Sequence, residues 1–403
     1  MAPTQRPAGR PVVVTHALRT PIGKFLGSLS DLSAADLGVS VVSDLLARAK
    51  LDPSTVDELI FGNGRQAGGG PNPARQISVR SGLPVEVPAL TINMACASGL
   101  KSLSLAAEGI RSGRTNVAIV GGTESMSRLP FMLPEMRKGY RLGHAPVVDG
   151  MYKDGFVCPL ANMVMGETAE KLAKDLGIPR EEQDQFALES QRKSQAARAA
   201  KRFDDELSPV KLKTKAGEVL FALDEHARDD ATIEDLAKLK PVFDPKAGTV
   251  TAGNASGITD GAAALLVMGA DVAEKLGYEP LAYLGHATEV GVDPRIMGIG
   301  PVPAVKKLVA LNGVAVDGYD VVELNEAFAA QVLACDRELH FPRERLNVNG
   351  GSISLGHPIG CTGARIVVTL LHELKKRNAR RGLATLCVSG GLGLATAFDR
   401  DGL

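Results

Sequence analysis

The stretch NMACASGLKSLSLAAEGIRSG, residues 93–113, decides both the fold and the question of function. It closes an apolar strand-like run, PALTINM, and opens a helical pattern. Cys96 stands at the junction among small neighbours, Ala95, Ala97 and Gly99, which leave room for a substrate. Most cysteines of soluble proteins are small buried hydrophobes. A thiol at a helix N-terminus instead faces the positive end of the dipole and unpaired N–H groups, which favour the thiolate. Taken alone, the segment fits a buried thiol at a tight turn as well as an activated nucleophile.

Outward from this junction, short β-rich runs alternate with helical patterns. PVVVTHALRTP reads as a strand, DLSAADLGVSVVSDLLARAK as an amphipathic helix, and VDELIFG and NVAIVGGTESMS as strands. The alternation predicts an α/β protein whose buried strands are continuous apolar runs. From about Arg128 to Asn254, prolines, glycines and charges crowd the chain. EEQDQFALESQRKSQAARAAKRF reads there as a charged surface helix, and the whole region as an inserted loop domain. The α/β texture returns at GITDGAAALLVMGADVAEKLG. CASGLKSLSLAAEGIRSGRTNVAIVGG also has an echo, CTGARIVVTLLHELKKRNARRGLATLCVSGG. Each has a cysteine, a hydroxyl residue and a glycine, then an apolar helix, basic residues, a strand and a glycine pair. The echo favours a core of two similar halves.

Composition narrows the function. The 403 residues exceed one ordinary hydrophobic core. Lys plus Arg equals Asp plus Glu at 46 each, so no global field attracts nucleic acid or an anionic membrane. Aromatic residues are 4% with no Trp, which argues against a base-stacking surface. No apolar run approaches the length that spans a bilayer, and MAPTQRPAGRPVVV lacks a secretory h-region. Five scattered cysteines, with no spacing suited to a metal, predict free thiols in a cytoplasmic protein.

Three further clusters could carry chemistry. In NGGSISLGHPIGCTGAR, residues 349–365, His357 lies between Gly356 and Pro358, so its imidazole can be held in a site and activate a thiol. In CVSGGLG, Cys387 follows a strand, at the end where α/β sheets gather ligands. NEAFAAQ places Asn325 and Glu326 after another strand, where Asn325 could equally cap a helix. VDELIFGNGRQA mimics a dinucleotide fingerprint, but GGGPNP follows it and blocks the helix that NAD binding requires.

Together with RTPIGKFLGSL, GTVTAGNASGITDGAAA and MGIGP, these motifs resemble the thiolase family, the acetyl-CoA acetyltransferases and 3-ketoacyl-CoA thiolases. The likeness covers nearly the whole chain in the family's order. It implies the thiolase fold, an αβαβα five-layer sandwich of two similar halves plus a loop domain. Residues 1–126 with 257–279 would form the first half, 127–256 the loop domain that binds coenzyme A, and 280–403 the second half. The resemblance implies Cys96 as the acylated nucleophile, His357 as its base and Cys387 as acid/base towards the substrate α-carbon or CoA sulfur. It implies that Asn325 holds a water beside the enolate oxygen, and that the backbone N–H groups of Cys96 and Ser389 form an oxyanion hole. It further implies that Ser256 contacts pantetheine and Arg228 lies near the nucleotide phosphates. Met165, Phe243, Ala252, Met297 and Phe328 would wall the tunnel. Coenzyme A and acyl-CoA are then substrates, no cofactor is bound permanently, and the assembly is a homodimer or a dimer of dimers. Ser389 departs from the glycine of many members, and Val164 from the histidine of many short-chain enzymes. Cys361 opens the second half's helix as Cys96 opens the first, and is expected to be structural. The alternatives are a condensing enzyme of the same fold, which lacks a counterpart of Cys387, and a non-catalytic acyl-CoA or sterol carrier, which needs none of these groups.

Overall fold

The computed structural model describes residues 7–215 and 217–402. The first half starts with β1 (Val12–Arg19) and α1 (Ala34–Ala49). Ser33 and Asp36 form a capping box that starts α1 by satisfying orphan N–H groups. Next come β2 (Glu58–Gly62), α2 (Pro73–Arg80), β3 (Ala89–Ile92), α3 (Ser98–Arg111) and β4 (Val117–Ser125). The following stretch carries α4 (Met165–Asp175) and α5 (Arg180–Ala199) before β5 (Thr259–Gly269) rejoins the sheet. The second half comprises β6 (Ala282–Gly291), α6 (Pro301–Asn312), β7 (Val321–Leu324), α7 (Ala329–Leu339), α8 (Ile359–Arg377), β8 (Arg381–Val388) and β9 (Leu392–Asp399).

The strands lie in the order β7-β8-β9-β6-β1-β5-β4-β2-β3, with the short pair Gly23–Lys24 on β5. From the seam outward the halves repeat one pattern. β1-β5-β4-β2 and β6-β9-β8-β7 each run antiparallel, antiparallel, then parallel. At the seam β1 meets β6 only through Val13–Tyr283 and Val14–Ala282, so the sheet behaves as two joined sheets.

Helices α3 and α8 pack together between those sheets. Leu100, Leu103 and Ile110 meet Ile366, Val367 and Leu370, with Val120 and Leu265 on one side and Leu386 and Phe398 on the other. Outside the first sheet, α1 buries Leu37, Val41 and Leu45 against Ile119 and Leu266. Outside the second, α6 and α7 bury Val305, Leu308 and Val332 with Leu383 and Ala395. The result is helix, sheet, helix, sheet, helix. β4 and β5 are buried along their whole length, which explains their apolar continuity.

Helix α5 departs from the surface helix expected at residues 181–203. One face is buried, and it is mixed: apolar Phe186, Ala187, Leu188 and Ala197 lie beside polar Gln183, Asp184, Ser190, Gln191 and Ser194. Asp184 accepts from Arg180 Nε and Asn254 Nδ2, and Ser190 donates to Glu326, so hydrogen bonds satisfy the polar part of that face while Phe186 and Leu188 pack into the core. Buried Arg19 of β1 ties the same region to the sheet through Glu206 at 2.6 Å and Asp224 at 2.7 Å. Among the described residues no helix is long and apolar enough to cross a membrane.

Candidate active site

Cys96 occupies a tight turn, Ala95–Ala97, between β3 and α3. Ala95 sits at φ +44°, a left-handed conformation that costs an alanine about 1 kcal/mol. Ser98 holds the turn by accepting from Met94 N–H at 2.9 Å and donating to the Ala95 carbonyl at 2.7 Å. The strain leaves the Cys96 side chain partly exposed, unlike the other four cysteines.

His357 reaches Cys96 from the other half, with Nε2 3.4 Å from Sγ. The backbone N–H of His357 donates to the Gly257 carbonyl at 3.0 Å. Its Nδ1 lies 2.6 Å from Thr362 Oγ1, and that hydroxyl itself donates to the Pro358 carbonyl at 3.0 Å. A hydroxyl with its proton committed can only accept, so Nδ1 carries the imidazole proton and Nε2 presents a lone pair to the thiol. Burial, with Arg365 and Arg65 adding like charge, pushes His357 down to about 3. It is therefore a neutral base at physiological pH.

The thiol differs from expectation. Burial pushes Cys96 above the ordinary thiol range, despite Arg65 and the Ser389 and Cys96 N–H groups favouring the thiolate. Desolvation outweighs the helix terminus, so the resting group is a thiol that needs a base. Cys387 is fully buried at the end of β8. Burial first, and then repulsion from Cys96 whenever that sulfur ionises, push its thiol far up. Cys387 packs with Met297 and Ala327, flanked by Met165 and Phe328.

Asn325 caps no helix, since α7 begins only at Ala329. Ser352 Oγ accepts from Arg365 Nη2 at 3.2 Å and donates to Asn325 Oδ1 at 2.6 Å. This orients the amide so that the buried Nδ2 has no hydrogen-bond partner among the described residues. A buried, oriented and unused donor is what a developing oxyanion or its water requires. Glu326 is committed elsewhere, accepting from Ser190, Asn347 and Ile353 N–H. Ser389 avoids positive φ, which falls instead on Gly390 and Gly391, so serine is accommodated without strain.

A cavity of about 230 Å³ beside the insertion is lined by Arg228, Ala252, His226 and Gln191 among others. Ser256 lies outside its lining, with its N–H bonded to the Ala327 carbonyl. Phe243 packs over Gly166, next to Met165. The His226 ring lies against Gly257, the residue whose carbonyl holds His357, so the cavity wall adjoins the catalytic loop.

Thr362, Ser352, Arg65 and Glu124 are participants that sequence reasoning missed. Glu124, buried near the end of β4, is pushed up to about 7 by burial against the pull of Arg65 and three N–H groups. A lone carboxylate after Gly121-Gly122 in an apolar strand was the available signal.

A thiol 3.4 Å from a neutral imidazole of the other half, with a second buried thiol and a free amide donor at the ends of the neighbouring strands β8 and β7, is the make-up of an acyl-transferring enzyme of the thiolase type. The family models agree: "Thiolase, N-terminal domain" matches residues 12–271 and "Thiolase, C-terminal domain" residues 278–400. The chain belongs to the thiolase family, and it is an acyltransferase. It is 50% identical over 391 residues to an acetyl-CoA acetyltransferase of Pseudomonas aeruginosa, covering 97% of this chain and 99% of that one. The acetyl-CoA acetyltransferase of Bacillus anthracis superposes with a TM-score of 0.95 at 44% identity, covering 97% and 99%. Human mitochondrial 3-ketoacyl-CoA thiolase in complex with CoA gives 0.93 at 40% identity, covering 97% and 98%.

Proposed function

We infer that this thiolase works through a Cys96 acyl-enzyme with Cys387 as the second acid/base. The supporting observation is His357 Nε2, 3.4 Å from Cys96 Sγ, with its other nitrogen tied to Thr362. In thiolysis, His357 takes the Cys96 proton and the sulfur attacks the 3-keto carbon. The Asn325 amide and a water on it stabilise the departing enolate oxygen. The bond between C2 and C3 breaks, the Cys387 S–H protonates C2, and acetyl-CoA leaves an acylated Cys96. Cys387 thiolate then takes the proton of an incoming CoA thiol, whose sulfur attacks the acyl carbonyl. The Cys96 and Ser389 N–H groups hold that oxyanion, and the expelled Cys96 sulfur recovers its proton from His357. Splitting one acyl exchange into two steps is the benefit of the covalent intermediate, and every proton has a residue to hold it.

Coenzyme A is proposed to lie along the insertion. Arg228 and Ala252 in the cavity wall support this, as does the CoA-bound human relative. The cavity is smaller than a whole CoA, so it seats one portion, with Met165, Met297 and Phe328 packed around Cys387 and Phe243 over Gly166 beside Met165. A homodimer or dimer of dimers fits the unpaired edge of β3, where Leu90 is exposed, and the exposed Leu133, Met136 and Leu142. Five free thiols fit a reducing cytoplasm, and acyl-CoA chemistry of this kind supports a role in lipid metabolism.

The test is thiolysis of acetoacetyl-CoA and longer 3-ketoacyl-CoA esters, with the acyl-enzyme trapped and located by mass spectrometry. The acyl group is expected on Cys96, and Cys96→Ser is expected to be inactive. A Cys96→Ser enzyme of near-normal rate would refute the assignment, while the preferred ester length reports the physiological substrate.

A further inference from the structure

We propose that the Glu124 carboxylate is a positioning residue of the active site, fastening the turn that carries Cys96 to the loop that carries His357. This rests on the roles assigned above to Cys96 and His357. Four donors converge on the one side chain. Oε1 accepts from Asn63 Nδ2 at 2.7 Å and Arg65 N–H at 3.1 Å. Oε2 accepts from Gly64 N–H at 3.0 Å and Gly360 N–H at 2.8 Å.

Those bonds lead to both reacting groups. Gly360 stands in the first turn of α8, three residues after His357, and its N–H is one that the helix itself leaves unpaired. A carboxylate there also meets the positive end of the dipole. In the other direction, the Gly64 carbonyl accepts from Asn93 Nδ2 at 3.1 Å, and Asn93 Oδ1 accepts from Ala95 N–H at 2.9 Å. Ala95 is the residue at positive φ immediately before Cys96. One carboxylate thus governs the strained turn through three bonds and the histidine loop through one.

The geometry admits no replacement of equal shape. A Cβ on Gly360 would lie 2.7 Å from Gly64 N, and one on Gly122 would lie 2.1 Å from the Gly360 carbonyl oxygen, so the three segments already touch. Arg65 completes the junction by donating to the Gly64 carbonyl at 3.1 Å and the Gly155 carbonyl at 3.0 Å, which draws in the insertion. Its nearby guanidinium compensates the buried charge. A glutamine at position 124 keeps one of the two acceptor oxygens, so it loses either the Asn63 and Arg65 bonds or, together, the Gly64 and Gly360 bonds, according to the amide orientation.

The experiment compares Glu124→Gln with the parent enzyme in thiolysis of acetoacetyl-CoA, normalised to acyl-enzyme formed per subunit. It also follows iodoacetamide alkylation of Cys96. We expect kcat to fall about 10- to 100-fold with KM for CoA within about twofold, because misplacing reacting groups by 1 Å costs about that much. Cys96 alkylation should slow in step. A carboxylate that only stabilises the fold would lower the number of active subunits and leave kcat per active subunit unchanged, which overturns the proposal. Should Glu124→Gln not fold, Asn93→Ala decides instead. It cuts only the link to the Cys96 turn and should show the same loss of kcat at constant KM, whereas kcat within twofold of the parent overturns the proposal. An active Cys96→Ser control would show that the underlying assignment, rather than the role of Glu124, has failed.

Discussion

The two halves each begin their central helix with a cysteine, and only one of those cysteines is partly exposed with an imidazole beside it. Cys96 precedes α3 by two residues in a strained turn, partly exposed, with an imidazole 3.4 Å away. Cys361 lies inside the first turn of α8, 1% exposed, its N–H bonded to the Pro358 carbonyl. Burial pushes its thiol up to about 12 although Arg365 and Arg19 favour the thiolate. Both sulfurs stand near a helix N-terminus, so the dipole does not distinguish them. Exposure and a base do. On the proposed mechanism the halves divide the work: the first supplies the nucleophile, and the segment before the second cysteine supplies the histidine that serves it.

Deleting each thiol gives the largest contrast. Cys96→Ala is expected to lower kcat for thiolysis by at least about 10³-fold, as loss of a covalent nucleophile does. Cys361→Ala should stay within about threefold of the parent and cost about 1 kcal/mol in denaturant unfolding through a small cavity. Comparable losses of activity would mean that both helix starts carry chemistry.

The protonation states sharpen the same contrast. Below its pKa, a thiol gains about tenfold in thiolate per pH unit. Because burial raises Cys96, its alkylation rate should climb steadily through pH 7–9, without the low-pH plateau of a preformed thiolate–imidazolium pair. Cys361 in the folded enzyme should remain unlabelled throughout. His357, lowered to about 3 against 6.5 when unfolded, acts on stability at the acid end instead. Its neutral form suits the fold, so its contribution is intact above pH 6.5 and is lost as pH falls towards 3. His357→Asn should flatten that acid limb of the unfolding free energy, and an unchanged limb would show that His357 does not titrate across the transition.

Thr362 is the next smaller lever. Thr362→Val keeps the shape of the side chain and removes the acceptor that holds the proton on His357 Nδ1. The other tautomer would aim an N–H at Cys96 instead of a lone pair. We expect kcat to drop about 10- to 100-fold, within what a general base contributes, with recovery in Thr362→Ser. A threonine-independent kcat would show that the tautomer is fixed by other contacts.

How much of this was readable in sequence follows from the same physics. The buried strands and both central helices were legible because apolar runs and helical spacing report burial directly, as β4, β5 and α8 do. Family motifs marked Cys96, His357, Cys387 and Asn325, and the fold brings the first two within reach although 261 positions separate them. Glu124 and Thr362 were not legible. They act through hydrogen bonds to backbone groups far away in the chain, and no periodicity records such partners. The burial of α5 was misread because polar Gln183, Asp184, Ser190, Gln191 and Ser194 share its inner face with apolar residues, and the Cys96 thiolate because a helix terminus can be seen in sequence while desolvation cannot.

The mildest test concerns the contact that lets the two helix starts meet. A Cβ on Gly99 would lie 2.5 Å from Ala364 N, and one on Gly363 would lie 2.4 Å from Leu100 N. Each glycine is thus pressed against the backbone of the opposite helix, in positions that correspond across the two halves. Gly99→Ala and Gly363→Ala should each cost about 1–3 kcal/mol in denaturant unfolding, the usual penalty of overpacking. The double variant should cost less than the sum by more than about 0.5 kcal/mol, because residues sharing one contact couple. Once one methyl has parted α3 and α8, the second finds the space already open. Strict additivity would mean that each helix yields separately, and that the spacing of Cys96 from His357 is not set by this glycine contact.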